Sequence, residues 1–148
     1  EPLPHRVALV GEATGVQWYD DSKATTPASV QAAVRGFTSV VLIAGGRNKG
    51  LDLSALAATA PPVRAVVAIG ESAAEVAAAF ADASPPVATY QAGSMEEAVT
   101  VAAGVARPGD SVLLSPGCAS FDWYKSYAER GEHFTALAQA KLQEVRRT

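Results

Sequence analysis

Residues 40–46 read VVLIAGG, a run of five apolar residues that ends in two glycines. An apolar run without polar alternation is typical of a strand that is covered on both faces, as in a parallel sheet. Three further runs follow along the chain: AVVAI at 65–69, VATY at 87–90 and SVLLS at 111–115. Together these segments predict a largely parallel sheet with both faces buried.

Stretches with helical periodicity separate these runs, because their apolar residues recur at intervals of three and four positions. Two strand-like segments at 6–10 and 16–19, joined by the glycine-bounded GEATG, predict a β-hairpin before the first helix. The alternation predicts an α/β fold, a Rossmann-like three-layer domain with a mostly parallel sheet and a leading antiparallel hairpin. The predicted helical faces are Val30, Ala33, Val34 and Phe37; Ala73, Val76, Ala77 and Phe80; Met95, Ala98, Val99 and Ala102; and Phe134, Leu137, Ala138 and Leu142.

The composition indicates one globular domain. The chain has 148 residues, of which 49% are hydrophobic and 18% charged, and this length supports a full core without disulfides. A net charge of -3 gives no reason to expect nucleic-acid or membrane-surface binding. No apolar stretch approaches the roughly 18 residues of a membrane span. The single cysteine, Cys118, excludes an internal disulfide and fits a reducing compartment.

The first residues indicate a linker. Residues 1–5 read EPLPH, and each proline holds the residue before it in an extended conformation. The sequence does not open with methionine, and its only methionine is Met95. We expect an inter-domain linker at 1–5 and a domain at 6–148, cut from a longer protein, with a processed N-terminus as the alternative.

Polar clusters follow three of the predicted strands. They are DDSKATTP at 20–27, GGRNKG at 45–50 and SPGCAS at 115–120. Ligands bind beyond the carboxyl ends of the strands in open α/β sheets. If the strands are parallel neighbours, the three clusters converge on one rim, where we expect a ligand site.

Helix capping explains part of the first cluster. Thr25 or Thr26 can cap a helix whose first residue is Pro27. Capping does not explain Lys23, because the helix dipole disfavours a cation near a helix N-terminus. A lysine at that position suits a phosphate or a carboxylate. Asp21 would accept hydrogen bonds from ribose hydroxyls or would simply be solvated.

The other two clusters also have simple structural interpretations. The loop at 45–50 matches neither GxxxxGK[ST] nor GxGxxG, and its composition is that of a solvated turn. Ser120 has the position of a helix N-cap, and free N–H groups there could bind an anion. Cys118 is expected to be a buried structural residue. His5 is expected in the solvated linker and His133 in the last helix, and no Cys/His cluster has metal-ligand spacing.

A resemblance to a known family rests on five motifs that occur in one order. They resemble the C-terminal domain of the Mur ligases and, within that family, the member that adds D-glutamate. The resemblance runs from Leu3 to about Leu142 and implies a cytoplasmic enzyme of peptidoglycan synthesis. The motifs are LPHR (3–6), DDSKAT (20–25), GGRNKG (45–50), RPGD (107–110) and LLSPGCASFDWYKSYAERG (113–131).

The resemblance implies a three-domain, ATP-dependent amide ligase of which this chain is the third domain, inactive in isolation. Its partners would be its own N-terminal domain, which binds the UDP-sugar precursor, and its central domain, which carries the ATP P-loop and the Mg²⁺ ligands. ATP would phosphorylate the carboxylate of UDP-N-acetylmuramoyl-L-alanine, and the amine of D-glutamate would attack the resulting acyl phosphate.

The resemblance also implies roles for individual residues. ATP would be contacted by Arg6 at the phosphates, by Asp21 at the ribose and by Lys23 between the phosphates and the amino acid. Arg6, Lys23 and Arg130 would serve catalysis, Arg130 either directly or by structural support. No metal ligand is expected in this domain. The residues implied for D-glutamate binding are Thr25, Lys49, Ser120 and Tyr127.

Two alternatives remain open from the sequence. The first is another amino-acid-adding ligase of the same superfamily, such as one that acts on a third-position amino acid or on folate. The second is a non-catalytic α/β ligand-binding module whose loops resemble the ligases by descent alone. The amino-acid selectivity of the whole enzyme would distinguish the first alternative from a D-glutamate ligase. A GxxxxGK[ST] segment upstream of this sequence would argue against the second alternative.

Overall fold

The computed structural model describes residues 4–81 and 83–147, so residues 1–3 of the expected linker lie outside the described part. Within those ranges no helix combines the length and the apolar character needed to cross a bilayer. The strands are β1 (Ala8–Ala13), β2 (Val16–Asp20), β3 (Val40–Gly45), β4 (Val63–Ile69), β5 (Ala88–Ala92) and β6 (Ser111–Leu114). The helices are α1 (Pro27–Val34), α2 (Ala73–Ala81), α3 (Met95–Val105) and α4 (Tyr127–Arg146), with a 3-10 helix at Leu53–Thr59.

The six strands form one sheet in the order β1-β2-β6-β3-β4-β5. β1 and β2 pair antiparallel, and every other neighbouring pair is parallel. The predicted α/β fold with a mostly parallel sheet and a leading hairpin is therefore confirmed. Because β6 inserts between β2 and β3, the loops that leave these three strands are neighbours in space.

The core has two layers, one on each face of the sheet. Along β3, Val41 and Ile43 pack in one layer with α3 and α4, whereas Val40 and Leu42 pack in the other with α1 and α2. All four side chains are fully buried. Each contributes about 1.5–3 kcal/mol relative to an exposed side chain. The VVLIA run is thus apolar throughout because both of its faces are covered.

Two elements differ from the sequence-based expectation. β5 was expected to be buried, but it lies at the edge of the sheet, and only Ala92 of its five residues is buried. Helix α1 ends at Val34, so Phe37 lies beyond it and packs its ring edge-on against Tyr19 at a centroid distance of 4.9 Å. Periodicity identified the contact of Phe37 with the core, but it showed neither the end of α1 nor the position of β5 at the edge of the sheet.

Candidate functional site

Three loops meet at the carboxyl edge of the sheet, as predicted. They are the β2 loop (20–27), the β3 loop (45–50) and the β6 loop (115–120), which leave neighbouring parallel strands. Backbone hydrogen bonds join them directly, so the loops form one continuous rim. These bonds run from Gly45 N to Pro116 O (2.9 Å), from Arg47 N to Ala119 O (2.9 Å), from Ala119 N to Arg47 O (3.0 Å) and from Gly117 N to Ala24 O (2.9 Å).

Glycines let the β3 loop approach its neighbours. Gly45 and Gly46 have φ values of 132° and 139°, a region that other residues rarely adopt. A Cβ on Gly45 would collide with the Ile69 carbonyl oxygen, and one on Gly46 with the Ala119 carbonyl oxygen. Gly46 therefore allows the close contact between the β3 and β6 loops, whereas Gly45 allows the end of β3 to approach the end of β4.

Arg130 of α4 ties the β2 loop to the β6 loop from beneath. Its Nε and Nη2 donate to the hydroxyl and the carbonyl of Ser22, both at 2.8 Å, and its Nη1 donates to the Cys118 carbonyl at 3.0 Å. The residue is 1% exposed. Burial lowers the pKa of Arg130 to about 10, so the guanidinium remains charged at neutral pH. Its contacts are those of a residue that holds the rim together.

Asp21 is enclosed and not solvated, which corrects one of its two interpretations. Its carboxylate accepts hydrogen bonds from the Ser115 hydroxyl at 2.7 Å and from the Val7 backbone N–H at 3.1 Å. Burial raises the pKa of Asp21, and these two hydrogen bonds act in the opposite direction. The side chain therefore joins the segment before β1 to the end of β6 at the floor of the rim.

A first cleft of about 400 Å³ opens beside Asp21. Arg6 and Lys23 contribute two cations to it, and α1 contributes a wall of small side chains. Phosphate groups bind well to such cations, and a carboxylate accepts hydrogen bonds from sugar hydroxyls. The cleft is therefore suited to a ligand that carries both groups. Its lining residues are Arg6, Val7, Asp21, Lys23, Ala24, Ser29, Ala32 and Ala33.

A second cleft of about 300 Å³ is lined by the next residues of the β2 loop, Thr25 and Thr26. It combines two cations with hydroxyl groups and an apolar wall. The Lys49 Nζ lies 4.6 Å from the centroid of the exposed Phe121 ring, and Arg47 pairs with Glu71 at 2.8 Å. This lining suits a small anion with an apolar part. The lining residues are Thr25, Thr26, Arg47, Lys49, Leu51, Cys118, Ala119 and Phe121.

The clefts separate the candidate residues into two groups. Arg6, Asp21 and Lys23 line the first cleft, whereas Thr25 and Lys49 line the second. The remaining candidates line neither cleft. Ser120 is 2% exposed, and Arg130 is buried beneath the rim. Tyr127 is the first residue of α4, and its ring centroid lies 5.7 Å from the Lys23 Nζ.

The helix caps settle which hydroxyls have a structural role. The Thr26 hydroxyl accepts from the Ser29 N–H at 3.2 Å, and Pro27 is the first residue of α1, so the capping prediction is confirmed and Thr25 lies outside the cap. Ser120 does not cap a helix, which corrects that expectation. The cap of α4 is Ser126, whose hydroxyl accepts from Glu129 N at 3.0 Å. Five residues without a periodic pattern, 121–125, separate the two serines.

Sequence reasoning missed three contributors to the rim. His5 is half-buried, and its Nδ1 lies 2.6 Å from the Asp20 carboxylate, so the expectation of a solvated linker residue is wrong. Arg47 and Phe121 line the second cleft. Both could have been identified from the sequence, because Arg47 lies in the β3 loop and Phe121 directly follows the β6 loop, two loops that were predicted to converge. The His5–Asp20 contact spans 15 positions and had no sequence signal.

The expected burial of Cys118 is confirmed, since the residue is 1% exposed and burial raises the pKa of its thiol. No cluster of three or more His, Cys, Asp or Glu side chains that could hold a metal ion occurs in residues 4–81 and 83–147.

The sequence is similar to one protein family. Residues 5–118 match the model of the family described as Mur ligase, glutamate ligase domain. Over 141 residues, 95% of this chain, it is 48% identical to the UDP-N-acetylmuramoylalanine–D-glutamate ligase of Frankia casuarinae. Over 135 residues it is 48% identical to the ligase of the same name from Thiobacillus denitrificans. The chain spans 30% and 28% of the lengths of these two relatives.

Solved structures share the fold at lower identity. The bifunctional folylpolyglutamate synthase/dihydrofolate synthase of Yersinia pestis, crystallised with AMPPNP and Mn ion, superposes with a TM-score of 0.63 at 18% identity. The aligned region covers 92% of this chain and 32% of that one. At this identity the match shows the fold alone.

Proposed function

This chain belongs to the family of the Mur ligase, glutamate ligase domain, and on that premise we propose that it is the C-terminal domain of a cytoplasmic D-glutamate ligase. The whole enzyme would join D-glutamate to UDP-N-acetylmuramoyl-L-alanine in peptidoglycan synthesis. Residues 6–148 would form the domain and residues 1–5 the linker to the preceding domains. One observation carries the proposal: Arg6, Asp21 and Lys23, implied for ATP, line one cleft, and Thr25 and Lys49, implied for the amino acid, line a second, with the β2 loop contributing to both.

The first cleft fits the polar groups of ATP. Arg6 and Lys23 would bind its phosphates, because both side chains are cations that line the same opening. Asp21 would accept a hydrogen bond from the ribose. Its carboxylate already accepts two hydrogen bonds from the protein, but two carboxylate oxygens offer about four lone-pair sites in total.

The second cleft fits D-glutamate, a small molecule with two carboxylates and a short apolar stem. Lys49 and the hydroxyl of Thr25 would bind its carboxylates, and Phe121 would contact the stem. Ser120 would add a hydroxyl from the end of the β6 loop, and Tyr127 would contribute from beside Lys23, whose Nζ lies 5.7 Å from its ring centroid. In the described structure Lys49 rests on the Phe121 ring, so it would turn from the ring to the incoming anion.

Lys23 lines the first cleft, and it would serve the reaction from a position between the ATP phosphates and the incoming D-glutamate. ATP, when bound, supplies the phosphoryl group that activates the precursor carboxylate as an acyl phosphate for attack by the D-glutamate amine. The Lys23 ammonium would stabilise the negative charge that develops on the transferred group, and the buried Arg130 would keep the β2 loop in place. No group of three or more His, Cys, Asp or Glu side chains that could hold a metal ion occurs in the described part of the chain, and the Mg²⁺ ligands would belong to the central domain.

The test uses the full-length enzyme that carries this domain. Phosphate release is followed with ATP, Mg²⁺ and UDP-N-acetylmuramoyl-L-alanine, and D-glutamate, L-glutamate, L-lysine or diaminopimelate is added separately. Of the four amino acids, only D-glutamate is expected to cause phosphate release. Phosphate release with a different amino acid would be consistent with a ligase of this family but would contradict D-glutamate as the substrate. No release with any of the four would favour a non-catalytic binding module.

Variants then test the second cleft. We expect Lys49→Ala to raise the KM for D-glutamate by roughly 10- to 100-fold, because a hydrogen bond to a charged group contributes about 1.5–3 kcal/mol. Ser120→Ala should raise the same KM by a smaller factor. Lys125→Ala removes an exposed lysine outside both clefts and is the matched control. Unchanged KM values for both Lys49→Ala and Ser120→Ala would refute the assignment of this cleft.

A further inference from the structure

The segment that carries Arg6 has an unusual backbone. His5 and Val7, the residues on either side of Arg6, have φ values of 62° and 45°. Residues other than glycine rarely adopt this left-handed region, and for a β-branched residue such as valine it is a clear outlier. Such conformations persist only where surrounding contacts impose them, and they cluster at functional sites. The contacts that impose this one can be identified.

Two adjacent buried carboxylates hold the segment. The Asp20 Oδ2 lies 2.6 Å from His5 Nδ1, and Asp21 Oδ1 accepts the Val7 backbone N–H at 3.1 Å. Lys23 adds a third bond, from its backbone N–H to the His5 carbonyl at 2.9 Å. Both aspartates are 3% exposed, so they are rigidly placed partners. The end of β2 and its loop therefore impose the left-handed turn on either side of Arg6.

Gly131 of α4 provides the space for the His5–Asp20 contact. A Cβ built on Gly131 would collide with His5 Nδ1 and would lie 2.8 and 2.9 Å from the two Asp20 carboxylate oxygens. Glycine inside a helix is intrinsically unfavourable relative to alanine. Its presence in this long helix is explained by the pair that packs against it.

We propose that His5, Asp20 and Gly131 form a joint whose function is to position Arg6 at the first cleft. The Arg6 side chain is exposed and makes no hydrogen bond within residues 4–81 and 83–147, so its own contacts do not fix its direction. The backbone on either side of it is fixed instead, and the joint is what fixes it. His5, Asp20 and Gly131 are thus positioning residues that act through Arg6. This inference rests on the proposed role of Arg6 at the ATP phosphates.

The experiment measures the KM for ATP of the full-length enzyme and the thermal unfolding of each variant. Asp20→Ala and Gly131→Ala are expected to raise the KM for ATP about tenfold. Asp20→Asn, which keeps a hydrogen-bond acceptor opposite His5, should restore most of the affinity. The matched control is Gly104→Ala in α3, where an added Cβ meets no atom within 4 Å and the KM should not change.

A double-mutant cycle separates positioning from a general structural effect, because coupled residues give non-additive changes. In an Arg6→Ala background, Asp20→Ala should cause no further rise in the KM for ATP. The same tenfold rise in both backgrounds would overturn the joint while leaving the proposed function intact. An Arg6→Ala enzyme with an unchanged KM for ATP would instead overturn the proposed role of Arg6. A KM unaffected by Asp20→Ala and by Gly131→Ala would also refute the joint.

Discussion

At the scale of single residues, Asp110 stabilises the end of the sheet at which the parallel strands begin, opposite the clefts. Its carboxylate accepts hydrogen bonds from Arg64 Nε at 3.1 and 3.0 Å, from the Ser39 hydroxyl at 2.6 Å and from the Arg107 N–H at 2.8 Å. Arg64 Nη2 also contacts it. Burial alone would raise the pKa of Asp110, but these bonds outweigh burial and lower it to about 2 from an ordinary value of 3.8. The starts of β3, β4 and β6 are joined by this one side chain.

This interaction predicts a specific loss of stability in acid. A carboxylate whose pKa is lowered in the folded state stabilises it above pH 3.8, and this contribution disappears as the pH falls to about 2. At 1.36 kcal/mol per pKa unit the contribution is about 2 kcal/mol. Urea unfolding at several pH values should therefore show that Asp110→Asn destabilises the chain at pH 6 and loses most of that effect near pH 2.

The control is Glu132→Gln, which changes an exposed side chain of α4 that makes none of these bonds. It should alter the free energy of unfolding by less than about 0.5 kcal/mol at every pH. A difference between wild type and Asp110→Asn that does not change between pH 6 and pH 2 would show that the network does not stabilise the folded state through its charge.

At the scale of the secondary-structure elements, the end of β3 depends on how closely it approaches β4. Gly45 pairs with Ile69 in the parallel register, and a Cβ at Gly45 would overlap the Ile69 carbonyl oxygen. Backbone atoms of a central strand cannot move away as the end of a flexible side chain can. The glycine therefore determines whether β3 and β4 stay paired up to the rim.

We predict that Gly45→Ala lowers the free energy of unfolding by about 4 kcal/mol or more, in the range of the most damaging point substitutions. Gly50→Ala is the matched control, since Gly50 also has a positive φ, 83°, but an added Cβ there meets no atom within 4 Å. The control should cost only the left-handed strain of about 1–2 kcal/mol. Urea unfolding of both variants measures the difference, and equal losses would show that the overlap with Ile69 is relieved without cost.

At the scale of the whole molecule, the clefts are shallow openings on one rim of a domain that spans about 30% of its relatives' length. The lining of the clefts comes from the rim loops, the segment before β1 and helix α1, and the facing side of each cleft is open. A site that lacks one wall loses both interactions and preorganisation. The proposed reaction therefore depends on the preceding domains.

We accordingly predict that residues 1–148 alone release no phosphate above background when supplied with ATP, Mg²⁺, UDP-N-acetylmuramoyl-L-alanine and D-glutamate. The full-length enzyme, assayed in the same buffer, should release phosphate at a rate that rises with D-glutamate. Phosphate release by the isolated chain that depends on D-glutamate would mean that this domain contains the complete active site.

Much of the fold followed from local pattern. The apolar run at 40–44 needs two covered faces, and a chain that alternates such runs with helical stripes must layer helices on a parallel sheet. The convergence of the three loops followed from the same argument. The exposed β5 shows the limit of local pattern, because a strand-like run of four residues does not indicate whether the strand lies inside the sheet or at its edge.

The sequence by itself determined the two-layer core, the rim and the residue types available there, because hydrophobic periodicity and turn chemistry are local properties. Only the tertiary structure decided that Asp21 and Lys23 face one cleft while Thr25 and Lys49 face another. It also decided that Arg130 is buried beneath the rim and that His5 meets Asp20 beside Gly131. These contacts join residues 15 to 126 positions apart (His5 and Asp20, His5 and Gly131), and such pairs arise only when packing places separate elements side by side.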